Sequence, residues 1–251
     1  MDAPHADDYC PLDDETSQIQ IEAILDRTRD VNGCVLDIGC GDGRLAIPLA
    51  RAGRTVLAID SDQRALDALH KSLRTEDDGT RSRVTLLRAD ASSLSAEALH
   101  KAAHEPIGMA VCVGHTFMLL HDPLDALALM RALGDALEPG APLLIDDFPH
   151  DLWFDVSEGN WQSGIAEMQT DDESEPELWQ MVWIPGDPVI ALRRGDEVDP
   201  DSIEILPTDR LHRLYSMGEL RLLCACSGFD EPERAAEDAL IVMYRGPRSA
   251  R

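Results

Sequence analysis

The sequence predicts a doubly wound α/β domain with a mostly parallel sheet, followed by a small antiparallel β insertion and a return to the main domain. Three observations carry this expectation. Apolar runs of strand length alternate with amphipathic stretches from Cys34 to Asp146. Those runs are apolar on both faces, as strands of a parallel sheet covered by helices must be. From Pro149 the alternation stops, and strand-like segments separated by turn residues take its place.

In order, Glu15 to Asp30 reads as an amphipathic helix with Ile21, Ile24 and Leu25 on one side. Cys34 to Ile38 is a short strand, apolar except for Asp37, and it runs into Gly39-Cys-Gly-Asp-Gly43. A helix from Arg44 towards Gly53 follows, then a strand at Thr55 to Ile59 ending at Asp60. Asp62 is placed to cap a helix in which Leu66, Leu69 and Leu73 recur at helical spacing. Val84 to Leu87 predicts the third strand, Leu94 to Ala103 a helix, and Ile107 to Val113 the fourth strand. Pro123 opens a helix whose Leu127, Met130, Leu133 and Leu137 share a face, and Ala141 to Asp146 is the fifth strand after the Pro139-Gly140 turn. Within the insertion, strands are expected at Glu177 to Ile184, Val189 to Arg193 and Ile203 to Leu206, with 171–175 a solvated acidic tip. Met217, Leu220 and Leu223 predict a helix ended by Gly228, and Ala239 to Tyr244 the final strand. The segment Asp230 to Glu237 is poor strand material.

The chain has 251 residues and a net charge of -26. Such a surface repels phosphate backbones, and no basic patch offsets it, so a nucleic-acid partner is not expected. Only Lys71 and Lys101 are lysines; the acidity fits a salty cytoplasm or a GC-rich genome equally well. Met1 to Cys10 carries no basic-then-apolar pattern and no apolar run is long enough to span a bilayer, which points to the cytoplasm and away from membranes. Of the six cysteines, Cys10, Cys34, Cys40, Cys112, Cys224 and Cys226, four lie in or beside apolar segments, and no spacing suggests a disulfide framework or a metal site.

A strand leading into Gly39-x-Gly41-x-Gly43 and then a helix brings backbone close to a ligand at the carboxyl end of a sheet. Gly41-x-Gly43-x-x-Ala46 also satisfies the dinucleotide fingerprint, and Asp60 would serve a ribose in either case. Asp37 separates the two. An acid inside an apolar strand is costly to bury without a partner, and a ligand amine would be one.

At this point the sequence closely resembles a known family. Val35-Leu-Asp-Ile-Gly-Cys-Gly-Asp-Gly-Arg44 is similar to the first motif of class I S-adenosylmethionine-dependent methyltransferases of the small-molecule type. The resemblance runs from about Leu25 to Leu144 and resumes from Arg213 to Tyr244. It implies a Rossmann-like, seven-stranded sheet with an antiparallel last strand, S-adenosylmethionine as cofactor and S-adenosylhomocysteine as product. It implies that Gly39, Gly41 and Gly43 admit the methionine part of the cofactor and that Asp37 anchors its amino end. Asp60 matches the acid that holds the ribose hydroxyls. Asp90, followed by Ala91, matches the position contacting the adenine amino group, and Val113 to Phe117 lies beside the methyl group and acceptor. Each has a purely structural alternative. That alternative is a helix cap for Asp60 and for Asp90, and a structural hydrogen bond for His115.

His115 is the first candidate for a general base, ahead of His121 and His150. The family more often has Asn at the position of His115. No Asn/Asp-Pro-Pro-aromatic motif and no Pro-Cys nucleophile follow the fourth strand, which favours a small-molecule acceptor for N- or O-methylation. All four tryptophans, Trp153, Trp161, Trp179 and Trp183, fall in the insertion. Strand alternation puts Trp179 and Trp183 on one face, suited either to packing the small sheet or to walling an acceptor pocket. Residues 151–209 are therefore expected to form a lid or substrate subdomain inside a single methyltransferase domain spanning 1–251, with a homodimer interface as the competing use of the aromatics. Two other functions stay open: a non-catalytic S-adenosylmethionine-binding sensor or partner protein, and an NAD-dependent dehydrogenase. Asp37 and the lack of a hydride-transfer residue set weigh against the latter.

Overall fold

The computed structural model describes residues 14–146, 163–168, 177–183, 188–235 and 240–246. The elements, in chain order, are α1 (Asp14–Arg27), β1 (Cys34–Ile38), α2 (Ala46–Arg51), β2 (Val56–Asp60), α3 (Gln63–Leu73), α4 (Asp78–Ser82), β3 (Val84–Arg88), α5 (Ala96–Ala103), β4 (Ile107–Cys112), α6 (Pro123–Ala136) and β5 (Pro142–Asp146). Then come β6 (Ser163–Met168), β7 (Glu177–Trp183), β8 (Val189–Arg194), β9 (Arg210–Arg213), α7 (Met217–Ser227), β10 (Glu233–Ala235) and β11 (Leu240–Tyr244). They divide into two compact units. The second unit takes Met118–Asp122 and the described residues from β6 to Ser216; the first takes the rest.

The first unit is a seven-stranded sheet in the order β10-β11-β5-β4-β1-β2-β3. Strands β1 to β5 are parallel, while β11 runs antiparallel to β5 and β10 antiparallel to β11. The expected antiparallel last strand is thus present, and the weak segment before it supplies only the three residues of β10. Strand order reverses between β1 and β4, so the ligand-binding crevice of such a fold lies at the carboxyl ends of these two strands. Every residue of β1 is buried, which is why its sequence is apolar apart from Asp37. Ile24 of α1, Leu49 of α2 and Leu66 and Leu69 of α3 pack with Val35, Val56, Ala58 and Val111 into one core. Asp62 caps α3 by accepting from the Arg64 N–H at 2.9 Å, as its position predicts.

The second unit is an antiparallel sheet in the order β6-β7-β8-β9. Register puts Met181 opposite Leu192 and Trp183 opposite Ile190 on one face, and Gln180 opposite Arg193 on the other. Trp183, Ile190, Met118 and Leu214 form its apolar core. The strand expected at Ile203 to Leu206 is absent. Its backbone instead wraps a buried ion pair: the Glu204 carbonyl accepts from Arg193 Nη2 at 2.7 Å, and the Leu206 N–H donates to Asp209 Oδ2 at 2.7 Å. The strand pairing with β8 is β9, just beyond this turn. Among the described residues no helix is long and apolar enough to cross a membrane.

Candidate active site

The site is built from the bottom of the crevice upward, beginning with Asp37. Its residue is 3% exposed, and its Oδ2 has no hydrogen-bond partner among the described residues. Burial pushes its carboxyl up to about 7; the Arg44 charge opposes this, the Asp60 charge adds to it, and the Ala46 N–H opposes it. Beyond β1 the glycine turn is left-handed at Gly39, Gly41 and Gly43, with φ of 73°, 54° and 101°. The N–H groups of Gly39 and Cys40 both donate to the Ile59 carbonyl, tying the turn to the end of β2.

Two of the three glycines are required by the protein's own packing. A Cβ on Gly39 would fall 2.2 Å from Thr116 Cγ2, and one on Gly43 would fall 2.3 Å from Leu69 Cδ1. Gly41 differs, since its N–H donates to Asp60 Oδ2 at 2.9 Å. Asp60 Oδ1 accepts from the Asp62 N–H at 2.9 Å, so this carboxylate holds the glycine loop and the start of α3 together.

Asp90 occupies the capping role raised as its alternative. Its Oδ1 accepts from the Ser92 N–H at 2.9 Å and Oγ at 2.7 Å, closing the short 3-10 turn Ala91–Ser93. At the end of β4, Val113 is buried and its carbonyl accepts from Thr116 Oγ1 at 3.0 Å. Gly114 and His115 follow, both left-handed. Burial holds the His115 imidazole below its ordinary range; the Asp146 charge raises it and the Arg44 charge lowers it further.

Sequence reasoning missed three residues that the fold brings to this place. Asp146, the last residue of β5, accepts from the N–H groups of Gly114 at 3.0 Å and His115 at 2.7 Å. Gln20 of α1 donates to Asp146 Oδ1 at 2.9 Å and accepts from Arg44 Nη2 at 2.9 Å. Arg44 Nη1 reaches Ser17 Oγ at 3.0 Å. An acid closing an apolar strand was the one available signal for Asp146; nothing local marks Gln20.

The remaining candidates lie in the second unit or beyond the described residues. Trp183 is 3% exposed within the unit's core, whereas Trp179 is half-buried with the Arg194 guanidinium 5.9 Å from its ring centre. The His121 carbonyl accepts from Arg213 Nη1 at 3.3 Å. Trp153, Trp161 and His150 lie outside the described residues. Among the described residues no cluster of His, Cys, Asp or Glu is placed to hold a metal ion.

Residues 35–140 match a family described as a methyltransferase domain. The chain is 30% identical over 112 residues to the cypemycin N-terminal methyltransferase of a Streptomyces species, covering 45% of this chain and 40% of that protein. It is 34% identical over 110 residues to the ubiquinone biosynthesis O-methyltransferase of Dinoroseobacter shibae, covering 44% of this chain and 39% of that one. The matched stretch therefore spans about two fifths of the length of these curated relatives. The CcbJ methyltransferase from Streptomyces caelestis has the same fold, with a TM-score of 0.69 and 17% identity over 98% of this chain and all of that one. The matched region opens at the first strand, takes in the glycine turn and lies on the strand order just described, so this part of the chain is similar to a methyltransferase domain in both sequence and fold.

Proposed function

We propose that the chain binds S-adenosylmethionine at the carboxyl ends of β1, β2 and β4 and methylates a nitrogen or oxygen of a small molecule, releasing S-adenosylhomocysteine. The observation that carries this reading is Asp37: a buried carboxylate with an unpartnered oxygen, set directly before a left-handed glycine turn. A bound ammonium would supply the missing partner and offset the cost of burying that charge.

S-adenosylmethionine, when bound, supplies an electrophilic sulfonium methyl, so the protein's task is alignment and exclusion of water. In this reading Asp37 takes the amino end, and Gly39, Gly41 and Gly43 shape the loop around the methionine part. Each Asp60 oxygen accepts one backbone N–H and retains a lone pair for a ribose hydroxyl. Asp90 and Ala91 face the adenine, and Val113 the methyl group. His115 takes the acceptor's proton, because burial favours the neutral imidazole that a base requires. In the second unit the half-buried Trp179 walls the acceptor; Trp183, assigned with it, is largely taken up by that unit's core. The relatives named above are an N-terminal methyltransferase and an O-methyltransferase, which supports a nitrogen or an oxygen as the acceptor atom. The net charge of -26 argues for a small molecule over nucleic acid.

Calorimetry with S-adenosylhomocysteine and NAD, followed by a methyl-transfer screen over amines, phenols and carboxylates, tests the reading. Binding of NAD alone would favour a dehydrogenase, and cofactor binding with no transfer would leave a sensor. Asp60→Ala is expected to weaken S-adenosylhomocysteine binding by roughly 1.5–3 kcal/mol, the scale of hydrogen bonds to a charged group. Unaltered affinity in a folded variant removes Asp60 from the site.

The inserted segment, expected over 151–209 and followed by β9 at Arg210–Arg213, is proposed to act as the substrate subdomain. Replacing residues 148–216 by a Gly/Ser linker is expected to leave S-adenosylhomocysteine affinity within about threefold while methyl transfer falls to background, because acceptor alignment is lost. Sedimentation decides against this role if a dimer becomes a monomer and catalysis survives.

A further inference from the structure

Gly114 and His115 have φ of 72° and 63°, two consecutive residues in the left-handed region. Glycine adopts it freely, but histidine rarely does, and such a residue persists only where its surroundings enforce it. Here the enforcing group is a carboxylate. Asp146 Oδ1 accepts from the Gly114 N–H at 3.0 Å and Oδ2 from the His115 N–H at 2.7 Å, so the two amides converge on one anion. The carboxylate is itself held: Gln20, 1% exposed, donates to Oδ1 and is fixed at its other end by Arg44. The neutral Gln20 amide stands between the Asp146 and Arg44 charges.

We propose that Asp146, seated by Gln20, is the positioning residue for His115: it clamps the left-handed backbone that carries the imidazole and faces it with a fixed negative charge. The inference rests on the reading of His115 as the base, and adds to it a property measurable in the protein alone. Among the described residues the charged groups facing His115 are Asp146 from β5 and Arg44 from the glycine loop. Of these, Asp146 favours the protonated ring and Arg44 disfavours it.

The test is Asp146→Asn, which keeps one acceptor oxygen and replaces the other by an amide that cannot accept from an N–H. With the charge removed, the His115 ring titrates at lower pH, by roughly one unit, as followed by NMR without substrate. The acidic limb of the kcat profile moves down with it and kcat falls about tenfold, while S-adenosylhomocysteine affinity changes less than about twofold. A ring titration and an acidic limb that stay in place overturn the proposal. Should the ring shift in a protein that transfers no methyl group, the clamp stands and the proposed function is what fails. The unaltered protein gives a second measurement, independent of whether the variant folds. Amide exchange at Gly114 and His115 is expected to be slowed to the level of the sheet interior, and exchange at the rate of an open loop overturns the clamp.

Discussion

Asp37→Asn is expected to uncouple cofactor binding from stability, weakening the first and improving the second. The Asp37 carboxyl is pushed up to about 7, chiefly by burial. An unfolded aspartate titrates near 3.9. Between those values the unfolded chain gives up a proton that the native protein keeps, so native stability falls as pH rises across that window and the full cost is present above about 7. A raised pKa of this size corresponds to roughly 4 kcal/mol, an upper bound on what the neutral variant recovers at pH 8. The melting temperature of the Asn variant should therefore exceed that of the parent at pH 8 and approach it at pH 4. Binding should respond oppositely. At pH 8 S-adenosylhomocysteine affinity is expected to fall by about ten- to a hundredfold, as for the loss of a charge-assisted hydrogen bond. For the parent, affinity should climb with pH up to about 7 and then level, since the ammonium selects the ionised carboxylate. Calorimetry that finds a flat profile from pH 5.5 to 8 removes Asp37 from the site.

The second large effect is structural and belongs to the antiparallel unit. The side chains of Arg193 and Asp209 are 2% and 5% exposed, and meet through two hydrogen bonds of 2.8 and 2.7 Å. Arg193 also donates to the Glu204 carbonyl at 2.7 Å and to Gln180 Oε1 at 3.3 Å. Asp209→Ala leaves that guanidinium buried without its anion, and a loss of about 3 kcal/mol in chemical denaturation is expected. Arg193→Met combined with Asp209→Leu should recover much of it, because no charge remains to be desolvated. The Arg193 hydrogen bond holds the Asp209 carboxyl below its ordinary range. Its contribution is therefore complete above the ordinary carboxylate range and lost as pH falls through the lowered value. A change under about 1 kcal/mol for Asp209→Ala would mean that water reaches the guanidinium, as at an exposed pair.

What the sequence made legible follows from which interactions are local. The inner parallel strands β1, β2 and β4 stand out because they are buried on both faces and so are almost wholly apolar, and Asp37 stands out against that background. By contrast, β3 at the sheet edge is only partly covered and carries Thr85 and Arg88. Asp62 was readable as a cap because its partner is two residues away. The strand expected at Ile203 to Leu206 fails for a tertiary reason: its backbone groups go to the side chains of Arg193 and Asp209, and no apolar periodicity encodes that. Helix α4 was missed although Asp77 caps it through the Thr80 N–H and Oγ, since five residues are too few to show a period. At the site, the motif residues were legible one by one, but the support of His115 was not. Gln20, Gly114 and Asp146 come from a helix, a strand end and another strand end, and only the completed sheet makes them neighbours.

The placement of β11 carries a consequence for the order of assembly. β5 pairs with β4 on one side and with β11 on the other, and all four strands of the antiparallel sheet intervene between β5 and β11 in the chain. A ribosome releasing this protein exposes the outer edge of β5 long before the strand that covers it exists. Closing a loop of that length adds little equilibrium entropy cost, but it defers the rewarding contact until β11 has been made. Until then Leu143, Leu144 and Ile145 form an apolar edge open to pairing with another chain. A translation pause downstream of Asp146 is therefore expected to lower the yield of folded protein while leaving the melting temperature of the molecules that do fold unchanged.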